Sequence, residues 1–308
     1  MGNDVNGPDS GCMDDDDSNT SSITNNNDND NSSFGRSFLQ NKFSKSNRKG
    51  KQNRLVEEFD ESVYILELRS DKWTWSKPMI LGTRNNKPTA RTDHSAIKIS
   101  TNEVCIFGGW VGLGNAGPSN EIWKFNVVDM EWNSVVTSGI QPRARYRHTS
   151  EMINNKMFIL GGSDNGDDIA EGCRHLAFHE LDTETIQWSH PFLSGMNPFP
   201  RSGHGSAVIG AQTIAIFGGK RSNECFLNDL CLIDTSTYAC TTVNAVESCL
   251  PTPVSNMSLT AVGNRCFVFG GTDTEGECYN DIRSIDIGEY LDDRDITVGE
   301  GSASDYNF

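Results

Sequence analysis

The chain has 308 residues, with 26 Lys and Arg against 42 Asp and Glu for a formal charge of −16, and 35% of its residues are hydrophobic. No run of about 18 apolar residues occurs, so no membrane span is expected. No apolar leader segment opens the chain, and the acidity disfavours general nucleic-acid binding, which needs cations to neutralise phosphates. The nine cysteines include no CxxC pair and read as reduced, mostly buried thiols of a cytoplasmic or nuclear protein.

Residues 1–54 stand apart. Up to Asp30 they are mostly Asn, Asp and Ser, with aspartates from Asp14 to Asp17 in succession. Too little apolar surface is present to offset the entropy of ordering, so an unfolded arm is expected. From Arg36 to Arg54 the sign reverses, with seven basic residues and no acidic one. That stretch reads as a solvated basic linker, or at Arg48-Lys49-Gly50-Lys51 as an import or membrane-surface signal. Position 6 is Asn, not the Ser or Thr that a myristoylation signal requires. At the other end, residues 299–308 are a polar tail expected to fray.

Between these regions, residues 55–298 repeat. Apolar runs end in a glycine doublet four times, at Gly108-Gly109, Gly161-Gly162, Gly218-Gly219 and Gly270-Gly271, spaced 53, 57 and 52 residues apart. Thirteen or fourteen residues before the first three stand His94, His148 and His204, each three residues after an arginine: Arg91, Arg145 and Arg201. The fourth copy has Val254 and Met257 there. After each doublet come a loop, a short alternating run, a polar turn and an aromatic: Trp132, Trp188, Tyr238 and Tyr290. A further half copy, Val63 to Glu67 leading to Trp73, precedes them.

About 50 residues holding four short strands make one small twisted sheet. One such sheet cannot bury both faces, so copies must stack, and radial stacking gives a β-propeller. Glycine at the end of the second strand tolerates positive φ and admits a neighbouring backbone. The aromatics Trp73, Trp132 and Trp188 would fill the interfaces between blades. The histidines, recurring once per repeat, read as structural residues bonded to backbone near the first strand. The doublets, the downstream Asn-Asp or Asn-Glu strand and the spaced tryptophans resemble kelch repeats from Val63 to Val298. That resemblance implies an all-β, kelch-type propeller acting as a protein-interaction platform. Four full copies plus a half leave closure open. Strands around Arg54 to Glu58 could complete the half copy, Asp295 to Val298 could add the outer strand of the last, and four to six blades are expected.

On such a frame Arg91, Arg145 and Arg201 would project one per blade around a mouth, with Lys220 and Arg221 after the third doublet. Guanidinium forks suit an acidic or phosphorylated peptide; in some kelch-type substrate adaptors, arginines at the corresponding position bind acidic peptides. The alternative is that each arginine pairs with a carboxylate of the next blade and staples the ring. Trp110, in a Gly-rich loop, suits a binding hot spot or packing on a neighbouring loop. Cys173, His175 and His179 are metal-capable, yet the expectation is no metal, no cofactor and no catalysis. Asp93-His94-Ser95 cannot be a triad, since adjacent strand residues point to opposite faces. The function expected is a monomeric, non-catalytic module binding a protein partner. The alternatives are a docking or regulatory subunit, such as a ubiquitin-ligase adaptor or phosphatase partner, and a metal-assisted enzyme.

Overall fold

Each second strand is a nearly unbroken apolar run: Glu103–Phe107, Lys156–Leu160, Thr213–Phe217 and Arg265–Phe269. A strand of that composition is stable only where both of its faces are covered. In the computed structural model, which describes residues 62–69, 72–81, 86–112, 117–164, 177–243 and 251–291, each of these runs is the second strand of a small antiparallel sheet. All the described residues lie in the second of two units, 1–56 and 57–308, into which the chain divides. The arm 1–54, the segments Arg54–Glu58 and Asp295–Val298, the tail, and Cys173 and His175 fall outside them.

The sheets are blades. Blade 1 joins Ser95–Lys98, Glu103–Phe107, Ile122–Asn126 and Glu131–Ser134 in that order. Blade 2 joins Thr149–Ile153, Lys156–Leu160, Phe178–Asp182 and Gln187–Ser189. Blade 3 joins Gly205–Ile209, Thr213–Phe217, Leu230–Asp234 and Ala239–Thr242. Blade 4 has three described strands, Ser258–Val262, Arg265–Phe269 and Ile282–Asp286. The half copy forms a hairpin, Ile65–Arg69 with Lys72–Ser76. First strands of successive blades lie side by side.

Short linkers carry the chain from blade to blade and fix their order. Ser138–Gly139 runs parallel to the fourth strand of blade 2, and Ser194–Gly195 to that of blade 3. Leu81 does the same for blade 1, bridging Glu131 and donating its amide to the Met130 carbonyl at 2.9 Å, which marks the hairpin as the outer half of a preceding blade. The polar turns after the third strands are built by a side chain. Asn126, Asp182 and Asp234 each accept two backbone amides on one side-chain oxygen, as Asx turns do.

The core lies between the blades. Cys105, Phe107 and Ile122 of blade 1 meet Met157, Ile159, Leu181 and Trp188 of blade 2. Phe158 and Phe178 of blade 2 meet Ile214 and Ile216 of blade 3, whose other face packs on Leu259, Cys266 and Val268 of blade 4. Trp132 and Phe125, ring centroids 4.8 Å apart, face the half blade and pack against Val63 and Ile80. Trp73 departs from the expectation that it fills an interface: it is 66% exposed, because among the described residues nothing lies against the far side of its hairpin.

A second ladder runs around the inner ends. The amide of Arg147 donates to Asp93 O at 2.9 Å, that of Gly203 to Arg147 O at 2.9 Å, and that of Asn256 to Gly203 O at 2.7 Å. All four residues have φ between 54° and 62°. That left-handed conformation costs a non-glycine residue about 1 kcal/mol, and here it turns amide and carbonyl toward the blades on either side.

Candidate functional site

The three repeat arginines are staples within their own blades. Arg91 donates to Gly108 O at 3.0 Å and to Glu121 Oε2 at 2.6 Å. Arg145 donates to Gly161 O at 2.7 Å and to Arg143 O at 3.1 Å. Arg201 reaches Gly218 O at 3.0 Å, Pro198 O at 2.7 Å and both carboxylate oxygens of Asp229 at 3.0 and 2.8 Å. Arg145 and Arg201 are 4% and 1% exposed. They therefore present no open fork to a ligand, which corrects the expectation of an arginine ring at a mouth. The carboxylates come from the same blade, not the next one. Burial lowers Arg145 to about 10. Burial pushes the Asp229 carboxyl up, but the Arg201 hydrogen bonds and charge outweigh it and the net shift is down.

The carboxylates that hold Arg91 and Arg201 were visible in the sequence without being recognised as partners. Glu121 and Asp229 sit immediately before the third strand, in the pairs Asn120-Glu121 and Asn228-Asp229. The asparagines reach across to the next linker, Asn120 to Pro142 O at 3.5 Å and Asn228 to Pro251 O at 3.0 Å. In blade 2 the carboxylate position is Ala177, and in blade 4, where Val254 replaces the arginine, Asp281 pairs with Arg283 at 2.6 Å.

His148 and His204 join neighbouring blades through a hydroxyl, and the Phe107 backbone of blade 1 also hydrogen-bonds His148. His148 Nε2 lies 2.9 Å from Ser95 Oγ, and His204 Nε2 lies 3.0 Å from Thr149 Oγ1. Both are buried, and burial is the chief reason that His204 falls to about 3 and His148 well below its ordinary value. The first glycine of each preceding doublet makes room for them: a Cβ on Gly108 would stand 2.8 Å from both His148 Cε1 and Arg145 O. Asp93 turns to Arg147, at 3.3 Å, and Ser95 to the adjacent His148.

The residue after each doublet pairs with the residue after the arginine position: Trp110 with Thr92, Ser163 with Tyr146, Lys220 with Ser202 and Thr272 with Ser255. From these pairs two loops rise as small hairpins, Trp110–Val111 with Gly117–Pro118 and Lys220–Ser222 with Cys225–Phe226. Trp110 packs edge-on against Tyr146 with centroids 5.2 Å apart, and the Arg147 guanidinium lies 5.6 Å from the centre of the same Tyr146 ring. Trp110 and Lys220 are half-buried and Arg221 is exposed; Lys220 Nζ bonds Asn223 Oδ1 at 2.7 Å. Arg143, with a 60% exposed side chain, stands 3.8 Å from Asp164. Tyr146 was missed because nothing in the repeat distinguishes it.

Among the described residues no group of three or more His, Cys, Asp or Glu is disposed to hold a metal. His179 is buried, with its ring 5.3 Å from that of His190 and its pKa lowered to about 3 by burial, Arg145 and His190. Of the described cysteines, 105, 231, 240 and 266 are buried, whereas 225 and 278 are exposed.

A family model described as "KLHDC2/KLHL20/DRC7 Kelch-repeats domain" matches residues 50–208 and 166–299. Among curated proteins, "Tip elongation aberrant protein 1" of Schizosaccharomyces pombe is 28% identical over 213 residues, which is 68% of this chain and 18% of that protein. "Host cell factor 1" of Homo sapiens is 24% identical over 259 residues, 73% of this chain and 12% of that one. "Kelch domain-containing protein 3" of Bos taurus is 30% identical over 193 residues, 59% of this chain and 48% of the relative. The chain thus spans less than half the length of these relatives. The solved "Structure of YjhT" superposes with a TM-score of 0.53 at 15% identity, covering 68% of this chain and 66% of that chain, a likeness of fold.

Proposed function

Because the chain belongs to the KLHDC2/KLHL20/DRC7 kelch-repeat family, we propose that it is a non-catalytic protein-interaction module which takes its partner on the loops following the glycine doublets. The observation that carries this reading is a division of labour. The recurring polar groups, Arg91, Arg201, His148 and His204 among them, spend their hydrogen bonds on the frame. The segments after the doublets differ from repeat to repeat; the first sets Trp110 against Tyr146 of the linker into blade 2, and exposed cations stand in that linker at Arg143 and after the third doublet at Arg221. Variable loops on a rigid frame are where proteins of this architecture can specialise. Arg143 and Arg221 on a chain of net charge −16 favour an acidic or phosphorylated segment as the ligand.

The test compares partner capture from native lysate by the wild-type chain and by a Trp110→Ala/Arg143→Glu/Arg221→Glu variant with an unchanged thermal melt. Partners retained by the wild type in moderate salt and lost from the variant are expected. Equal capture by both would overturn the reading.

A further inference from the structure

In blades 1 to 3 the repeat arginine sits in a socket built to one plan. One wall is the carbonyl of the first glycine of the doublet, which accepts from Arg91 at 3.0 Å, from Arg145 at 2.7 Å and from Arg201 at 3.0 Å. A second is a carbonyl two or three residues before the arginine: Thr89 O at 3.1 Å, Arg143 O at 3.1 Å and Pro198 O at 2.7 Å. The third, in blades 1 and 3, is the carboxylate immediately before the third strand, Glu121 or Asp229.

Blade 4 keeps the socket and has lost its occupant. Gly270, Thr252 and Asp281 stand at the three wall positions, and the arginine position is Val254. Valine carries no donor and ends well short of where a guanidinium would reach. The space left is a cleft whose lining includes Thr252, Val254, Gly270, Tyr279, Asp281 and Arg283. Val254 and Val268 belong to the apolar cluster shared with Phe217 and Leu230 of blade 3, so a complete neighbouring blade stands on this side of blade 4. The Asp281 side chain is 43% exposed, which leaves the carboxylate end of the cleft open to solvent.

Asp281 already accepts one bond, from Arg283 Nε to its Oδ2 at 2.6 Å. That bond does not use up the socket, because its counterparts coexist with an arginine in the other blades. In blade 3 the matching residue, Cys231, lies 3.5 Å from Asp229 Oδ2 while Arg201 bonds both oxygens of the same carboxylate. In blade 1 Trp123 Nε1 lies 3.4 Å from Glu121 Oε2, which Arg91 also bonds. Asp281 Oδ1 and the carbonyls of Gly270 and Thr252 therefore remain as acceptors for a further donor. Two carbonyls and a carboxylate set around one space call for a cation with several N–H groups, and a planar guanidinium is what the same frame holds elsewhere. The net charge of −16 adds long-range attraction for a basic ligand.

We propose that the blade 4 cleft binds an arginine side chain from a basic segment of a partner protein, which sets its guanidinium among Gly270 O, Thr252 O and the Asp281 carboxylate and so supplies from outside the group that the repeat has lost at Val254. The site is distinct from the loop residues Trp110, Arg143 and Arg221 and takes a ligand of the opposite charge.

The test titrates the blocked tripeptide acetyl-Gly-Arg-Gly-amide into the full chain, following the Thr252 and Gly270 backbone amides in proton–nitrogen correlation spectra, with acetyl-Gly-Lys-Gly-amide as the control. Saturable shifts at these amides, half complete near about 1 mM, are expected for the arginine peptide, and binding roughly 10-fold weaker for the lysine peptide. Asp281→Asn should weaken the arginine peptide by roughly 10-fold. Val254→Arg, which fills the socket from within, should abolish the response; should that variant fail to fold, Asp281→Asn decides. The absence of a saturable shift at Gly270, an equal response to the lysine peptide, or unweakened binding by either variant once folded overturns the proposal. The Trp110→Ala/Arg143→Glu/Arg221→Glu variant binds the peptide like the wild type, so this test and that of the loop face fail separately.

Discussion

Arg201 is the largest fully buried side chain among the described residues, and its charge is tolerated because two carbonyls and a carboxylate enclose it. Its removal leaves the Pro198 and Gly218 carbonyls without that donor and strips the 31% exposed Asp229 of its partner, so Arg201→Ala should cost about 3 kcal/mol in urea unfolding. Arg91→Ala should cost about 1–2 kcal/mol, since Glu121 is 55% exposed and can be rehydrated. Equal losses would show that burial of the carboxylate does not set the difference. Asp229 adds a pH dependence of known sign. Its pKa is held below the ordinary 3.8, so its contribution is complete above about pH 4 and disappears as the pH falls through the lower, folded value. Sequence spacing had placed one arginine per repeat correctly and misjudged its direction. A polar residue recurring once per blade looks the same whether it lines an opening or braces a strand. What separates the two cases is the carboxylate immediately before the third strand, a signal split between two distant segments of each repeat.

At the scale of the strand, position in the repeat and what lies opposite act separately. Trp188 and Trp132 occupy matching places on fourth strands, paired with Leu181 and Phe125. Trp188 is 2% exposed between complete blades, Trp132 is 9% exposed toward the half blade, and Trp73 is 66% exposed. Thermal melts at low protein concentration should therefore grade the three alanine variants: about 4–5 kcal/mol for Trp188, about 3–4 for Trp132, and less than about 1 for Trp73. A Trp73 variant as damaging as the other two would mean that its hairpin is covered after all. The second strands were the most legible elements, because a run such as Thr-Ile-Ala-Ile-Phe before two glycines admits few other readings. The small hairpins after the doublets were not legible, since two-residue strands carry no period. Nor could composition tell that the blade 4 strand Arg265–Phe269, written like its three counterparts, would be covered on one side only.

Across the whole set of blades, the three junctions share an architecture and differ in chemistry, with a consequence for how the molecule comes apart in acid. His148 and His204 hold neutral rings at the first two junctions, their affinity for protons lowered chiefly by burial. In the unfolded chain each would bind a proton below pH 6.5; in place, His204 does so only near pH 3. Over that window the His204 ring withdraws about 1.4 kcal/mol of stability per pH unit from its junction, and the His148 ring, also shifted well down by burial, acts in the same direction. The third junction has Met257 where a histidine would stand, inside a wholly apolar cluster, and loses nothing from that position. Hydrogen exchange at neutral and at mildly acidic pH should show amides at the first two junctions becoming labile while those between blades 3 and 4 keep their protection. Uniform loss of protection would count against this assignment. An acidified molecule thus carries perforations in two places and a weld in the third, and tearing along them frees blades 3 and 4 as a single piece.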